Sequence, residues 1–398
     1  MPGAVTFVDG IDSVAAADWN RLAGDAYPFL RHEFLSEAER SGCVSAATGW
    51  QPRHAVLRDD KGRVTGLMPL YEKSHSWGEF VFDWAWAQAY QRANIAYYPK
   101  LVSAIPFTPA ASPRLLLAED AGVDSASLLL DGIRAYAVDY GQSSFHVLFP
   151  AADELSRLES AGLKLRKDCQ FHWFNRNYRS FEDFLATFSS AKRKKARRDR
   201  RHVAERGVTF RWLTGEQTDA AIWSDVSAMV GNTFLLRGSM PYFDRDFFVG
   251  VAARLPRDIL VVLAERNRQP VAAAIFYRGR HALYGRYWGC DEHFNALHFE
   301  TCYYQGIDYC IANGIARFEP GTQGEHKISR GFVPVASWSA HWLAQPEFFA
   351  AVGRYLKEEK RHVDQYMAAV DSHSPYRVDH WPAPQSSAAQ AGGTFPRT

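Results

Sequence analysis

The hydrophobic pattern changes period twice between Ala282 and Phe332. Ala282–Trp288 reads as an apolar strand, and Gly289–Ala296 as a polar crossover. Leu297–Ala312 reads as a helix, and Asn313-Gly314 as a turn into a short strand, Ile315–Glu319. Strand, helix and strand in this order predict a βαβ unit with parallel strands. The loop after it, residues 320–332, carries glycines at 321, 324 and 331, which let the backbone turn sharply and approach a ligand closely. Between them stand Gln323, Glu325, His326, Lys327 and Arg330. A loop so dense in charge, placed after a buried strand, is where sites tend to be built.

The rest of the chain alternates in the same way. Arg53–Arg58 and Thr65–Lys73 flank Asp59-Asp-Lys-Gly62, a hairpin signal. Glu79–Tyr98 is crowded with aromatic rings, Asp124–Gly141 has a helical period, and Ser144–Phe149 is strand-like. Ser180 is placed to cap a helix with Asp183 at its third position. In the second half, Val208–Leu213, Ile259–Arg266 and Pro270–Arg278 read as strands, and Asp219–Thr233 and Asp244–Ala253 as helices. Trp338–Leu343 and Glu347–Val370 complete it as strand and outer helix. The halves share an order of elements but no repeated residues. The expected fold class is α/β with mixed sheets, in two tandem domains. These are residues 1–168 and residues 169–380, the second with a basic helix at 190–206; a disordered tail is expected at 381–398.

Composition narrows the picture modestly. A formal charge of +2 over 398 residues names no partner. Five scattered cysteines without CxxC spacing indicate neither a zinc site nor a disulfide framework, so a reduced, cytoplasmic setting is expected. Met1–Asp12 lacks a signal-peptide pattern, and no run of about 20 apolar residues predicts a membrane span. The charge is concentrated in Ala191-Lys-Arg-Lys-Lys-Ala-Arg-Arg-Asp-Arg-Arg-His202, which wound as a helix is basic on every face. It is either a solvated arm or a polyanion contact through Lys192, Arg193, Lys195, Arg197, Arg198 and Arg201. No aromatic residue is interleaved, which weakens a base-reading role.

Several stretches together resemble one family. These are Asp83-Trp-Ala-Trp-Ala87, Tyr97-Tyr-Pro-Lys100, Pro106-Phe-Thr-Pro109, Leu297-His-Phe-Glu300 with Cys302-Tyr-Tyr-Gln-Gly306, and Gly324-Glu-His-Lys327 with Arg330-Gly-Phe332. They resemble the FemAB-like predicted N-acyltransferases, over roughly Asp12 to Tyr376. The resemblance implies two GNAT-like acyltransferase domains. It also implies an acyl or aminoacyl transfer to a small-molecule amine from aminoacyl-tRNA or an acyl thioester such as acyl-CoA. The donor is then a co-substrate, with no permanently bound cofactor and no metal. The pyrophosphate signature of CoA-dependent members is missing after Trp288, where Gly289-Cys-Asp-Glu-His-Phe-Asn295 stands.

Direct acyl transfer to an amine needs a proton acceptor and a polarised carbonyl, and no covalent enzyme intermediate. Glu300 is the first candidate base, sharing a helix face with Tyr304 at i+4; the alternative is a carboxylate placed to suit the helix dipole. His326 is the second. Lys327 and Arg330 are candidates to hold an oxyanion or donor phosphate, or else pair with Glu325 or Glu319. Arg286 alternates with Tyr284 and Trp288 on its strand, with Glu319 as expected partner. Trp84, Tyr97, Tyr98, Lys100, His298 and Gln323 complete the substrate-contact set, with Lys100 expected at an inter-domain cleft. A non-catalytic binding protein on the same scaffold, for tRNA or another anionic ligand, is the alternative.

Overall fold

The computed structural model describes residues 4–292, 294–322, 324–377 and 380. Two compact units emerge. The first comprises the chain up to Cys169 together with Ala336–Tyr366; the second comprises Gln170–Val335 and the described residues from Met367 on. The expected boundary at 168/169 thus lies beside the observed one. The segment 336–366, which sequence placed in the second domain, instead joins the first unit. The reason is pairing and packing. Ser339–Leu343 lies antiparallel to Ser144–Leu148, and Val352 and Leu356 of the helix Pro346–Asp371 bury against Trp86, Tyr90 and Tyr97.

In the first unit, the predicted hairpin forms between His54–Arg58 and Val64–Met68. It sits in a small antiparallel sheet with Val5–Val8 and Leu116–Leu117. A second set of strands, Trp50–Pro52, Tyr71–Lys73, Lys100–Ser103 and Ser144–Leu148, is mixed, with the last two parallel. Leu129, Leu130 and Ile133 of the helix Ser125–Asp139 fill the core over these strands.

In the second unit, Val208–Thr214, Ile259–Arg266, Gln269–Arg278 and Ala282–Cys290 form an antiparallel meander. Ala282–Tyr284 then runs parallel to Arg317–Glu319, as the strand–helix–strand order predicts. Phe318 and Arg317 in turn pair with Trp173 and Phe174. Asp219 caps the helix Ala220–Leu235, and Ser180 caps Phe181–Ala186 by accepting from the Asp183 amide. The result is the mixed α/β architecture expected.

Candidate functional site

Three elements of the second unit converge. The first is the glycine-hinged crest. Gly321, Gly324 and Gly331 have φ of 97°, 108° and 90°, conformations that side chains with a Cβ rarely adopt. Gly324 and Gly331 bracket a short 3₁₀ segment, Glu325–Arg330. At Gly324 a Cβ would lie 2.1 Å from His326 Cε1, so the glycine is also what lets the imidazole fold back.

Each crest side chain has a distinct setting. His326 is exposed, and its Nε2 lies 2.8 Å from the Tyr303 hydroxyl. Desolvation and the cations Arg330 and Lys327 hold its pKa below the ordinary value. Arg330 is buried, lies 3.3 Å from the centre of the Phe299 ring, donates to the His326 carbonyl at 2.6 Å, and reaches Asp199 at 3.6 Å. Lys327 is 1% exposed, and its ammonium donates to the Gly321 carbonyl at 2.6 Å. Among the described residues it has no carboxylate partner. Burial, assisted by the charge of Arg286, brings its pKa down to about 7. Gln323 lies outside the described residues.

The second element is the helix that begins at Leu297. It opens into a π turn at Glu300–Tyr304 before resuming as Gln305–Ala312. Such turns are rare and often mark functional sites. The turn changes the expected geometry around Glu300. The side-chain bond on its own helix comes from Gln305, five residues on, at 2.9 Å, while Tyr304 donates to Asp199 at 3.3 Å. Glu300 is 3% exposed and pairs with Arg200 at 3.1 Å. Burial raises its pKa, with Arg200 working in the opposite direction. Among the described residues no hydrogen bond reaches Glu300 Oε2. His298 meets Trp288 and Tyr303 edge to face and Phe299 at a tilt, and burial pulls its pKa down to about 3. At neutral pH it is an uncharged ring.

The third element is the basic helix, Ser190–Glu205, and here the expectation of charge on every face is corrected. Ala196, Asp199 and Val203 form a buried stripe, with Val203 in the apolar core beside Val208, Ala264 and Leu297. The spacing of three and four residues gives the helix an inside. Arg200 reaches inward too, over the Phe181 ring and onto Glu300 and Asp308. Lys194, Lys195, Arg197, Arg198 and Arg201 are exposed; Lys192 and Arg193 are partly so. Arg197 pairs with Glu182, and Arg201 lies 3.6 Å from Glu205.

Arg286 differs from its expected strict alternation. The register shifts between Ile275 and Phe276, whose partners are Tyr287 and Gly285, so Arg286 is the extra residue of a β-bulge. Glu319 feels the charge of Arg286, its expected partner, and also lies 2.8 Å from Arg317 and 3.8 Å from His172. Burial pushes Glu319 up; Arg317, His172 and Arg286 outweigh it and hold the carboxyl below its usual range.

The remaining candidates lie in the first unit. Lys100 is fully buried. Its ammonium bonds Ser76 Oγ and Glu79 Oε2, each at 2.8 Å, and also Asp83. Tyr97 donates to Asp83 at 2.6 Å, and the partly buried Tyr98 hydroxyl meets Ser76 at 2.8 Å. Trp84 starts the helix Trp84–Arg92 and sits against the exposed Trp77. What lets Lys100 stay buried is charge. A lysine is seldom buried without a partner, and the two carboxylates of Lys100 arrive from 17 and 21 residues away.

Asp199, Arg200, Tyr303 and Phe299 belong to the assembly but were not among the sequence candidates. One signal was available: Asp199 is the lone acid between Lys192 and His202.

The chain matches the FemAB-like family model, described as peptidoglycan biosynthesis/recognition, over residues 10–378. No curated protein matches the sequence. Among solved structures, it is similar to the C-terminal DUF2156 domain of a candidate lysylphosphatidylglycerol synthetase from Agrobacterium fabrum. The TM-score is 0.52 and the identity 10%, covering 86% of this chain and 96% of that one. A conserved protein of unknown function from Bacteroides thetaiotaomicron aligns at TM-score 0.51 and 12% identity, over 85% of this chain and 99% of that one. FemX aligns at 0.49 and 11%, over 80% and 98%. At such identities the likeness speaks for the fold alone. Among the described residues no helix is long and apolar enough to cross a membrane. The family match extends over most of the chain, and with it the chain belongs to the FemAB-like family.

Proposed function

We propose that this chain transfers an aminoacyl group from aminoacyl-tRNA directly to a small-molecule amine, in the cytoplasm. The amine nitrogen attacks the ester carbonyl, a C–N bond forms, and the C–O bond to the ribose breaks. Glu300 takes the proton from the attacking amine; its uncommitted Oε2 is the acceptor atom. His326, joined to Tyr303, is the alternative acceptor. Lys327 faces the oxyanion and passes a proton to the leaving ribose hydroxyl, a role suited to a pKa of about 7. Arg286, His298, Glu319 and Arg330 shape the surroundings of this exchange.

One observation carries the reading. The basic helix presents exposed cations outward, Arg197 and Arg201 among them paired with Glu182 and Glu205, while its inner side is salt-linked to Glu300 and Arg330. A polyanionic donor on the outer face releases counterions, and its binding weakens steeply with salt. The test is charge reversal of Arg197, Arg198 and Arg201 to Glu. Filter binding of tRNA and transfer from labelled aminoacyl-tRNA are both expected to fall to background. Unchanged turnover removes tRNA as donor and leaves an acyl thioester. The binding-protein reading replaces catalysis if Ala at Glu300, His326 and Lys327 preserves tRNA affinity and no transfer activity exists to lose.

A further inference from the structure

We infer that Asp199 and Arg200, neighbours on the inner edge of the basic helix, are positioning residues that hold the two halves of the site in working orientation. The inference rests on the transferase reading. Arg200 is clamped from three sides: Glu300 at 3.1 Å, Asp308 at 2.6 Å, and the Phe181 ring centre at 4.3 Å. A planar guanidinium bridges two carboxylates while stacking on a ring; an ammonium does this poorly. Asp199 receives the Tyr304 hydroxyl at 3.3 Å and faces Arg330 at 3.6 Å. One residue therefore orients the π turn from its carboxylate end, and the other ties that turn to the crest. Both sit on the helix whose opposite face carries the exposed cations, so one rigid element sees the donor and the reacting groups.

The charged and titratable groups facing Glu300 are Arg200 from the basic helix and Asp308 from its own helix, with Tyr304 beside it. Asp308 opposes the charge on Glu300, and Arg200 is the cation that favours it. Removing Arg200 leaves the buried Glu300 and the half-buried Asp308 without their shared cation, and Glu300 then protonates at higher pH.

The test compares Arg200→Met with Arg200→Lys in transfer of label from total aminoacyl-tRNA to a peptidoglycan precursor bearing a free lysine amine. For Arg200→Met, kcat is expected to fall at least roughly tenfold, a part of the roughly 10²–10⁴-fold that a well-placed general base supplies. The acid limb of its pH profile moves up by about one to three pH units. Arg200→Lys keeps the limb near its wild-type position while losing part of kcat. KM for tRNA stays within about threefold in both, because Arg200 points inward. A second readout does not need turnover. Infrared difference spectra of each variant against its Glu300→Gln counterpart report the carboxyl directly, with the protonated signal expected to persist to higher pH in Arg200→Met than in wild type. An unmoved limb and a carboxyl in Arg200→Met that protonates no higher than in wild type overturn the inference, as does an identical profile for both variants. If Arg200→Met fails to fold, a limb in Arg200→Lys shifted as far as a charge loss predicts overturns it. Wild-type protein that transfers nothing, while the infrared shift appears, brings down the transferase reading and not the orientation of Glu300.

Discussion

Lys100 and Lys327 are both sealed from water, one in each unit, and they could hardly be more differently treated. Around Lys100 the chain assembles two carboxylates, a hydroxyl and two aromatic faces. Burial draws its pKa down, but Glu79 and Asp83 reverse that and hold it above the ordinary lysine value. Asp83 in turn is held at about 2 by Lys100 and His146 against the effect of burial. Lys327 meets a single carbonyl and feels a neighbouring arginine, and sits at about 7. A lysine fully paired stays charged at any physiological pH and does no proton chemistry. One left with a neutral partner balances between its two forms where a cell keeps its pH. Burial alone separates neither; the partners do.

The largest effect expected from breaking this contrast is on Lys327. Lys327→Met removes the proton donor and oxyanion contact, so turnover is expected to drop by roughly 100-fold or more. Stability moves the other way. The unfolded lysine titrates at its ordinary 10.5 and the folded one at about 7, so between these values the unfolded chain binds more protons. Stability therefore rises with pH through that window on account of this group, and the buried cation is most costly below it. Lys327→Met is expected to be more stable than wild type at pH 6, with the advantage shrinking toward pH 10. Paired urea titrations across that range check this, and the wild-type difference cancels Lys73, which burial also brings to about 7. A variant destabilised equally at every pH would make Lys327 an ordinary core residue.

The companion substitution, Lys100→Met, is expected to act on folding. It strands Asp83 and Glu79 in the core, and loss of one partner from a buried pair costs about 3–5 kcal/mol. Urea midpoints measure it, and the tRNA-binding curve of the protein that remains folded should be unchanged. Equal stability would mean that water or a neighbour replaces the ammonium without difficulty.

Why the surroundings of one lysine were legible in the sequence and those of the other were not is a matter of range. The crest was legible because its determinants are local. Gly321, Gly324 and Gly331 turn out to have the positive φ that only glycine holds easily. The parallel pairing of Ala282 with Arg317 followed from alternating periods, and the hairpin at Asp59–Gly62 from its turn residues. Lys100 was marked as unusual, but its carboxylates come from a loop and a helix start that no spacing rule joins to it. The same holds for Arg200, which in sequence is one arginine among many and in the fold bridges residues about a hundred positions later. The π turn was hidden for another reason. An inserted turn shifts side chains by one position without altering the apolar pattern that announces the helix.

The smallest expected effect concerns the exposed end of the crest. Tyr303→Phe keeps the buried ring that packs on Phe332 and removes only the hydroxyl held 2.8 Å from His326 Nε2. A hydrogen bond of this kind contributes about 1 kcal/mol net. If Glu300 is the working base, His326 is a bystander, and turnover should fall no more than about threefold with an unshifted pH profile. If His326 is the base, the freed imidazole changes its titration, and the acid limb of the profile moves with it. Kinetics of this variant, measured beside Glu300→Gln, thus divide the two proton acceptors that the crest and the π turn offer. A large, pH-dependent loss in Tyr303→Phe with a mild one in Glu300→Gln would transfer the base from the buried turn to the solvent-facing ring.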